Sequence, residues 1–286
     1  MFNLFKKQEP AENSSADNNN GKSLIFIATH IMNKGIISEY KKFCNACKDK
    51  YDVILLLDNT KFNYKSSSPV CNRIFYGMEI KCFLFDENIH DFLNLPYYHI
   101  EKEGNFGQVT WYNADYRFYY VKKFFPNYKY YWQFEWDCFC NGDSYEPFLK
   151  KYENNNSDLL MALLRNEEHG SEWSWTHQIK WIYSDDVNLY GSLFPACRLS
   201  ADAIDYLYER RLEHAKIFKN FLDDPEARWV FCELFVPTEL GLGEKFTMAG
   251  IEDEYIRFSP VFDLNTERLY EEPDFHIYHP VKGSSC

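Results

Sequence analysis

Residues 130–143 read Tyr-Tyr-Trp-Gln-Phe-Glu-Trp-Asp-Cys-Phe-Cys-Asn-Gly-Asp, an aromatic, apolar run that leads straight into spaced carboxylates. Trp132, Phe134, Trp136 and Phe139 supply bulk for both faces, as expected of a central strand covered by helices on either side. Charge stranded inside such a strand is costly, so Glu135 and Asp137 belong at its carboxyl end. Strand side chains alternate with period two, which points both acids to the same face. Two such carboxylates repel each other unless a divalent cation, or the hydroxyls of a sugar or ribose, lies between them. Gly142 permits a tight turn beyond them, and Asp143 adds a third acid. Ligands of open α/β sheets bind outside the carboxyl ends of the strands. The competing reading is the solvated face of an ordinary amphipathic strand, with Glu135 and Asp137 merely exposed.

The surrounding pattern predicts a mixed, mainly parallel α/β sheet flanked by helices. Ser23–Thr29 and Val53–Leu57 are short apolar runs separated by a helical stretch over 36–48, a strand-helix-strand unit with a right-handed crossover. Ile80–Phe85 offers a third strand. Residues 111–125 carry aromatics at helical spacing and stop before Pro126. Strands are expected over 159–164 and 193–199. Ser200 is a good N-cap for a helix over 201–219, and a further helix is expected over 227–235. The segment from Phe258 onwards reads as short strands and loops.

The 286 residues suffice for one large domain with a substantial core. Residues 1–22 are polar and low in complexity and are expected to be a disordered tail, with 23–286 as the domain. The opening Met-Phe-Asn-Leu-Phe-Lys-Lys suits at most weak peripheral contact with a membrane surface. A net charge of −12 argues against a nucleic-acid binder, because phosphate backbones are held by clustered Lys and Arg. The aromatic fraction, 19%, exceeds what a core needs and suits grooves that stack on sugars or bases. Nine cysteines in apolar segments read as free thiols in a reducing compartment, and no apolar run reaches the roughly 20 residues of a membrane span. A cytoplasmic location follows, extending to the cytoplasmic face of the inner membrane. Cys44 and Cys47 form an isolated CxxC inside a helix, and Cys138 and Cys140 are read as packing residues on the face opposite the acids.

Four stretches together resemble the GT-A class of nucleotide-sugar glycosyltransferases. Glu135-Trp136-Asp137 is similar to its DxD motif, as an ExD variant. Gly191–Ser200, leading into the long helix, resembles the Gly-Ser and Leu-Ser pattern of the core-2/I-branching transferases. Phe231–Thr238 resembles the stretch that carries the catalytic Glu of inverting members, with Cys232 where those enzymes have an acid. His279-Pro280-Val281-Lys282-Gly283 is similar to the His-Pro-x-Lys tail of bacterial and fungal transferases.

The resemblance implies a donor half over about 23–145 and an acceptor half over about 146–286. It implies transfer of a sugar, with inversion and with retention as the alternative, from a nucleotide-sugar donor to a glycan or lipid-linked glycan in bacterial surface polysaccharide or lipooligosaccharide synthesis. Glu233 is the implied general base, with Glu239 its nearest substitute. Asp137, Glu135 and His279 are the implied ligands of Mn²⁺ or Mg²⁺, while Lys282 or Arg198 offers a metal-independent cation for the leaving diphosphate. Thr29, His30, Asp58, Asn113 and Asp115 are the implied donor contacts, each with capping or turn formation as its structural alternative. Trp173, Trp175 and Trp181 are either an acceptor platform or core. Two other classes stay open: a non-catalytic carbohydrate-binding protein, and a glycoside hydrolase pairing Glu135 with Glu233. Nucleotidyl transfer is disfavoured, for no Gly-rich phosphate loop follows the first strand.

Overall fold

The computed structural model describes residues 21–46, 49–62, 64–86, 88–96, 111–168, 171, 174–176, 179–224, 226–262 and 274–281. Residues 1–20 of the expected tail, Cys47, Trp173 and Lys282 lie outside this set.

β1 (Ser23–Thr29), α1 (Lys34–Ala46) and β2 (Tyr51–Asp58) form the expected unit, with β1 and β2 parallel. Every residue of β1 is buried, and its side chains alternate between two cores. Leu24, Phe26 and Ala28 pack on one face of the sheet, Ile25 and Ile27 on the other. α1 starts two residues earlier than expected because Asn33 Oδ1 accepts the Ile36 N–H at 2.9 Å, capping the helix. β3 (Val70–Phe75) and β4 (Met78–Phe85) make a hairpin around Tyr76 and Gly77, both at positive φ, which suits the strand twist. β3 was not expected: it is a half-exposed edge strand, without the apolar run that marks its neighbours.

After the short α2 (Ile89–Leu93) and α3 (Asp115–Phe124), β5 (Tyr130–Glu135) returns to the far side of β1 and pairs parallel with it. The order of winding thus reverses between β1 and β5. Beyond β5 come β6 (Phe139–Cys140), α4 (Glu146–Tyr152), β7 (Leu159–Glu167), β8 (Leu189–Ser200), α5 (Ala201–Phe218), α6 (Cys232–Leu242), β9 (Met248–Ile251), β10 (Ile256–Phe262) and β11 (Ile277–Val281). The main sheet has eight strands in the order β3-β4-β2-β1-β5-β8-β7-β9, and β10-β11-β6 form a second, three-stranded sheet. Helices α2, α3, α5 and α6 cover one face of the main sheet; α1, α4 and the small sheet cover the other. The fold is therefore mixed α/β, with a largely parallel central sheet flanked by helices, as the sequence pattern predicts. Among the described residues no helix is long and apolar enough to cross a membrane.

Ser200 caps α5 as expected, its hydroxyl accepting the Ala203 N–H at 3.2 Å. The helix expected over 227–235 instead spans Cys232–Leu242 and runs through Pro237. Proline has no N–H to give the carbonyl four residues back. That carbonyl belongs to Glu233, and Ser192 Oγ on β8 donates to it at 3.3 Å, tying the first turn of α6 to the sheet.

The far end of α6 is held by a buried charge. Glu239 accepts Arg210 Nε at 2.6 Å and the Tyr183 hydroxyl at 2.5 Å, and His214 Nε2 lies 2.9 Å from it. Burial alone would raise this carboxyl, but His214, Tyr183 and Arg210 outweigh burial and hold it at about 2. Burial in turn lowers His214, so the charge opposing Glu239 is the Arg210 guanidinium. A carboxyl depressed in the folded state contributes stability that is present above its unfolded value, near 4.5, and is lost as pH falls through the folded value. In urea unfolding, Glu239→Gln should cost about 3–5 kcal/mol at pH 7. The gap to wild type should shrink as pH falls from 4.5 towards 2, and a gap independent of pH would show that the carboxylate charge is not what stabilises α6.

Candidate active site

The parallel registers align the carboxyl ends of four strands along one edge. Thr29 pairs with Leu57, Ala28 with Glu135, and Asp58 with Phe85. A cavity of about 340 Å³ opens there, at the point where the winding reverses, lined by Thr29, His30, Asp58, Arg117, Glu135 and Asp137 among others. Thr29 and Asp58 also shape their own turns: Thr29 Oγ1 donates to Ile31 O at 2.6 Å, and Asp58 Oδ1 accepts the Thr60 N–H at 2.9 Å. The His30 ring meets Trp136 edge-on, with centroids 5.0 Å apart.

β5 ends at Glu135, and Asp137 sits in the turn beyond it, so period two does not aim the two acids. Their convergence comes from the small sheet. β11 pairs antiparallel with β6, Tyr278 against Phe139, and the Val281 N–H reaches Asp137 O at 2.9 Å. That register sets His279 Nε2 3.2 Å from Asp137 Oδ1 and 3.7 Å from Glu135 Oε2. On the other side Arg117 on α3 donates to Glu135 Oε1 at 3.2 Å. Burial would raise Glu135, but His279 and Arg117 outweigh it and hold the carboxyl at about 2. His279 responds in the opposite sense: burial would lower it, and Asp137 and Glu135 push it up to about 9. Cys138 and Cys140 are buried as the sequence implies, and Cys140 belongs to β6.

Ligand atoms of Glu135, Asp137 and His279 all lie within 4.8 Å of one another. Asp137 Oδ1 is buried, and among the described residues no well-aimed hydrogen bond reaches it, although His279 Nε2 lies 3.2 Å away. Two hard oxygens and one imidazole nitrogen suit Mn²⁺ or Mg²⁺, so the residues fit such an ion.

Glu233, in the first turn of α6, accepts the Phe194 N–H on Oε1 at 3.1 Å, while Oε2 accepts no hydrogen bond among the described residues. Burial pushes this carboxyl up to about 8; the Phe194 N–H and His279 pull against that, and Glu135 adds to it. Glu233 does not itself line the cavity, but the charges of Glu135 and His279, which do, reach it.

Arg117 is the site residue that sequence reasoning missed. Its signal was present: a cation inside the aromatic run Tyr116-Arg117-Phe118-Tyr119-Tyr120 has to find an anion. Trp111 and Trp136 also line the cavity.

Other expected residues are engaged elsewhere. Asp115 is fully buried against Arg211, with Nε at 2.7 Å and a second guanidinium nitrogen at 3.2 Å, and it also accepts the Tyr119 hydroxyl at 2.8 Å. Asn113 is buried just before α3, and its carbonyl accepts the Tyr116 N–H. Arg198 pairs with Trp132, well back from the carboxyl end of β5. It clamps the loop after α4 through Asn155 O at 2.9 Å and Ser157 O at 2.8 Å, under the Tyr130 ring. Glu239 is committed to its buried network. Trp181 packs with Trp229 and Phe218 and donates to Arg228 O, as core. Trp175 joins Trp111, Tyr112 and Phe231 in an aromatic cluster beside the cavity. Gly142 is not at positive φ; it makes room for the Phe275 ring, which a Cβ would meet at 2.6 Å.

No protein-family model matches the chain, and no curated sequence does either. Its structure is similar to that of mouse xyloside xylosyltransferase 1 in the apo form, with TM-score 0.45 and 12% identity over 91% of this chain and 97% of that one. It is also similar to galactosyltransferase LgtC in complex with donor and acceptor sugar analogues, with TM-score 0.44 and 12% identity over 90% of this chain and 86% of that one.

Removing one partner of a buried ion pair strands the other. Asp115→Ala should therefore cost about 3–5 kcal/mol in urea unfolding; a variant as stable as wild type would return Asp115 to the pool of ligand contacts.

Proposed function

We propose that the chain is a nucleotide-sugar glycosyltransferase that transfers a sugar to a glycan or lipid-linked glycan with inversion. The observation that carries this reading is the convergence of Glu135, Asp137 and His279 at the strand-end cavity, on residues whose motifs resemble the GT-A class. Seven free cysteines among the described residues support a reducing compartment, consistent with surface polysaccharide or lipooligosaccharide assembly on the cytoplasmic side of a bacterial membrane.

In this reading Glu135, Asp137 and His279 hold Mn²⁺ or Mg²⁺. When bound, the ion neutralises charge developing on the departing diphosphate. Arg117 fixes the Glu135 carboxylate and brings a second positive charge to the cavity floor. Thr29, His30 and Asp58 line the part of the cavity that receives the nucleoside. Lys282, outside the described residues, follows closely on His279 and adds a cation for the diphosphate. Glu233 takes the proton of the acceptor hydroxyl on its free Oε2, while Phe194 N–H and Ser192 Oγ hold the residue from both sides. Burial raises its proton affinity, and a carboxylate with an elevated pKa is the stronger base.

One observation favours a second reading, glycoside hydrolysis. Glu135 at about 2 and Glu233 at about 8 are split as a nucleophile and an acid would be. Glu135 is, however, already committed to Arg117 and His279, which leaves it poorly placed to attack a sugar.

A thermal-shift screen of UDP, GDP, CMP and their sugars, with and without Mn²⁺, tests the donor site, since a ligand bound only by the folded state raises apparent stability. We expect a Mn²⁺-dependent shift with one nucleotide, lost in Asp137→Asn and His279→Ala. Glu233→Gln should keep that shift and lower kcat by about 10²–10⁴-fold. The wild-type rate should rise with pH along a limb at or below about 8, because burial and Glu135 raise the base while His279 and a bound cation would lower it. Wild-type turnover in Glu233→Gln would remove Glu233 from the reaction, and release of sugar from a glycoside without any nucleotide would favour hydrolysis.

A further inference from the structure

A second cavity, of about 630 Å³, adjoins the first across Trp136 and Asp137, which line both. It runs between the amino-terminal turns of α1 and the small sheet, on the face of the main sheet opposite α6. Its volume falls within the range of sites that enclose small ligands, and it is nearly twice that of the strand-end cavity.

The lining is built for a ligand that is apolar on its faces and hydroxylated at its rim. Trp136, Phe139 and Phe275 provide aromatic surface, and Ser38, Asp137 and Asp143 provide oxygens at the edges. Phe275 is held at φ 58, a left-handed conformation that a bulky residue adopts only at a cost. Its backbone is fixed there by the Phe275 N–H to Asn141 O at 2.9 Å and by the Asn141 N–H to His276 O at 3.0 Å. Its ring lies where a side chain at position 142 would be, space that only glycine leaves open. A strained aromatic residue and the glycine that accommodates it together form one wall of the groove. The other side is equally fixed: Glu39 of α1 accepts the Cys140 N–H at 3.0 Å and the Tyr145 hydroxyl at 2.7 Å, and Lys42 bridges Glu39 to Cys140 O at 2.7 Å. The groove therefore keeps its width without a ligand.

We infer that this groove is a saccharide subsite. It holds the sugar units of a glycan whose terminal unit reaches the strand-end cavity past Trp136. Aromatic faces take the C–H surfaces of pyranose rings, and the Asp143 carboxylate and the Ser38 hydroxyl take ring hydroxyls. The inference rests on the glycosyl-transfer reading for its ligand class, and it makes an oligosaccharide, rather than a single sugar, the preferred acceptor.

The test measures binding of the full-length protein, with Mn²⁺, to an array of defined mono- to tetrasaccharides, with nucleotide binding measured alongside. Ser38 is exposed on α1, so Ser38→Trp fills the groove without disturbing the core. Phe275→Ala removes the wall from the other side. The expected result is that wild type binds oligosaccharides more tightly than their constituent monosaccharides, that both variants lose at least tenfold in that affinity, and that nucleotide binding is unchanged in both. Variants that retain wild-type saccharide affinity overturn the inference. So does a wild-type protein that binds nucleotide and no saccharide, an outcome that leaves the catalytic reading intact. Saccharide binding that both variants abolish, in a protein that binds no nucleotide, upholds the groove and overturns the catalytic reading instead.

Discussion

Two carboxylates at the end of a buried strand are the constraint around which this molecule is arranged. Glu135 and Asp137 sit where the low dielectric of the core makes their repulsion expensive, so the fold brings positive charge to each of them. Arg117 comes from the helix on one face, and His279 comes from the last described strand on the other. The small sheet exists in the right place because β11 pairs with β6, the segment that immediately follows the acids, and the Val281 N–H closes on Asp137 O. The cluster thus joins the middle of the chain to its end, and the site depends on residues more than 140 positions apart in sequence closing on one another.

Behind this cluster, buried ion pairs orient the elements that carry its neighbours. Asp115 and Arg211 lock α3 to α5, and Arg211 also donates to Val230 O at 2.8 Å, just before α6 begins. Glu239 locks the other end of α6 to α5 through Arg210. Such pairs are weak contributors to net stability compared with apolar packing, but each is costly to break once buried. Their geometric effect here is specific. They fix the helix that presents Arg117 to Glu135 and the helix whose first turn carries Glu233.

Much of this arrangement was legible in the sequence. The parallel unit β1-α1-β2, the covered strand β5, the cap at Ser200 and the acids at a strand end all follow from local pattern, because burial on two faces leaves an unbroken apolar run and a cap leaves a short polar residue. Gathering His279 with Glu135 and Asp137 came from a motif resemblance, and the contacts that produce the cluster are long-range pairings that no periodicity encodes. Asp115 and Arg198 show the converse. Asp115 is a charged residue beside an aromatic segment and Arg198 one inside an apolar strand, and both are buried against partners supplied by distant elements. Arg117, flanked by the same aromatics, reaches the cavity instead. Sequence spacing cannot separate the three, since what distinguishes them is which partner the sheet order brings near.

Glu233 illustrates how a local irregularity fixes a side chain. A helix beginning at Cys232 would ordinarily satisfy the Glu233 carbonyl through residue 237, but proline there supplies no N–H. Ser192 takes the carbonyl and Phe194 takes one carboxylate oxygen, so two positions of β8, two residues apart, grip a single residue of α6. The same arrangement that fixes the side chain also keeps it poorly solvated, and an unpaired carboxylate in that setting gains proton affinity. Arg117 and His279 suppress that gain at Glu135. Among the described residues no cation pairs directly with Glu233, and the fold thereby divides these two carboxylates between one that holds its charge and one of raised proton affinity.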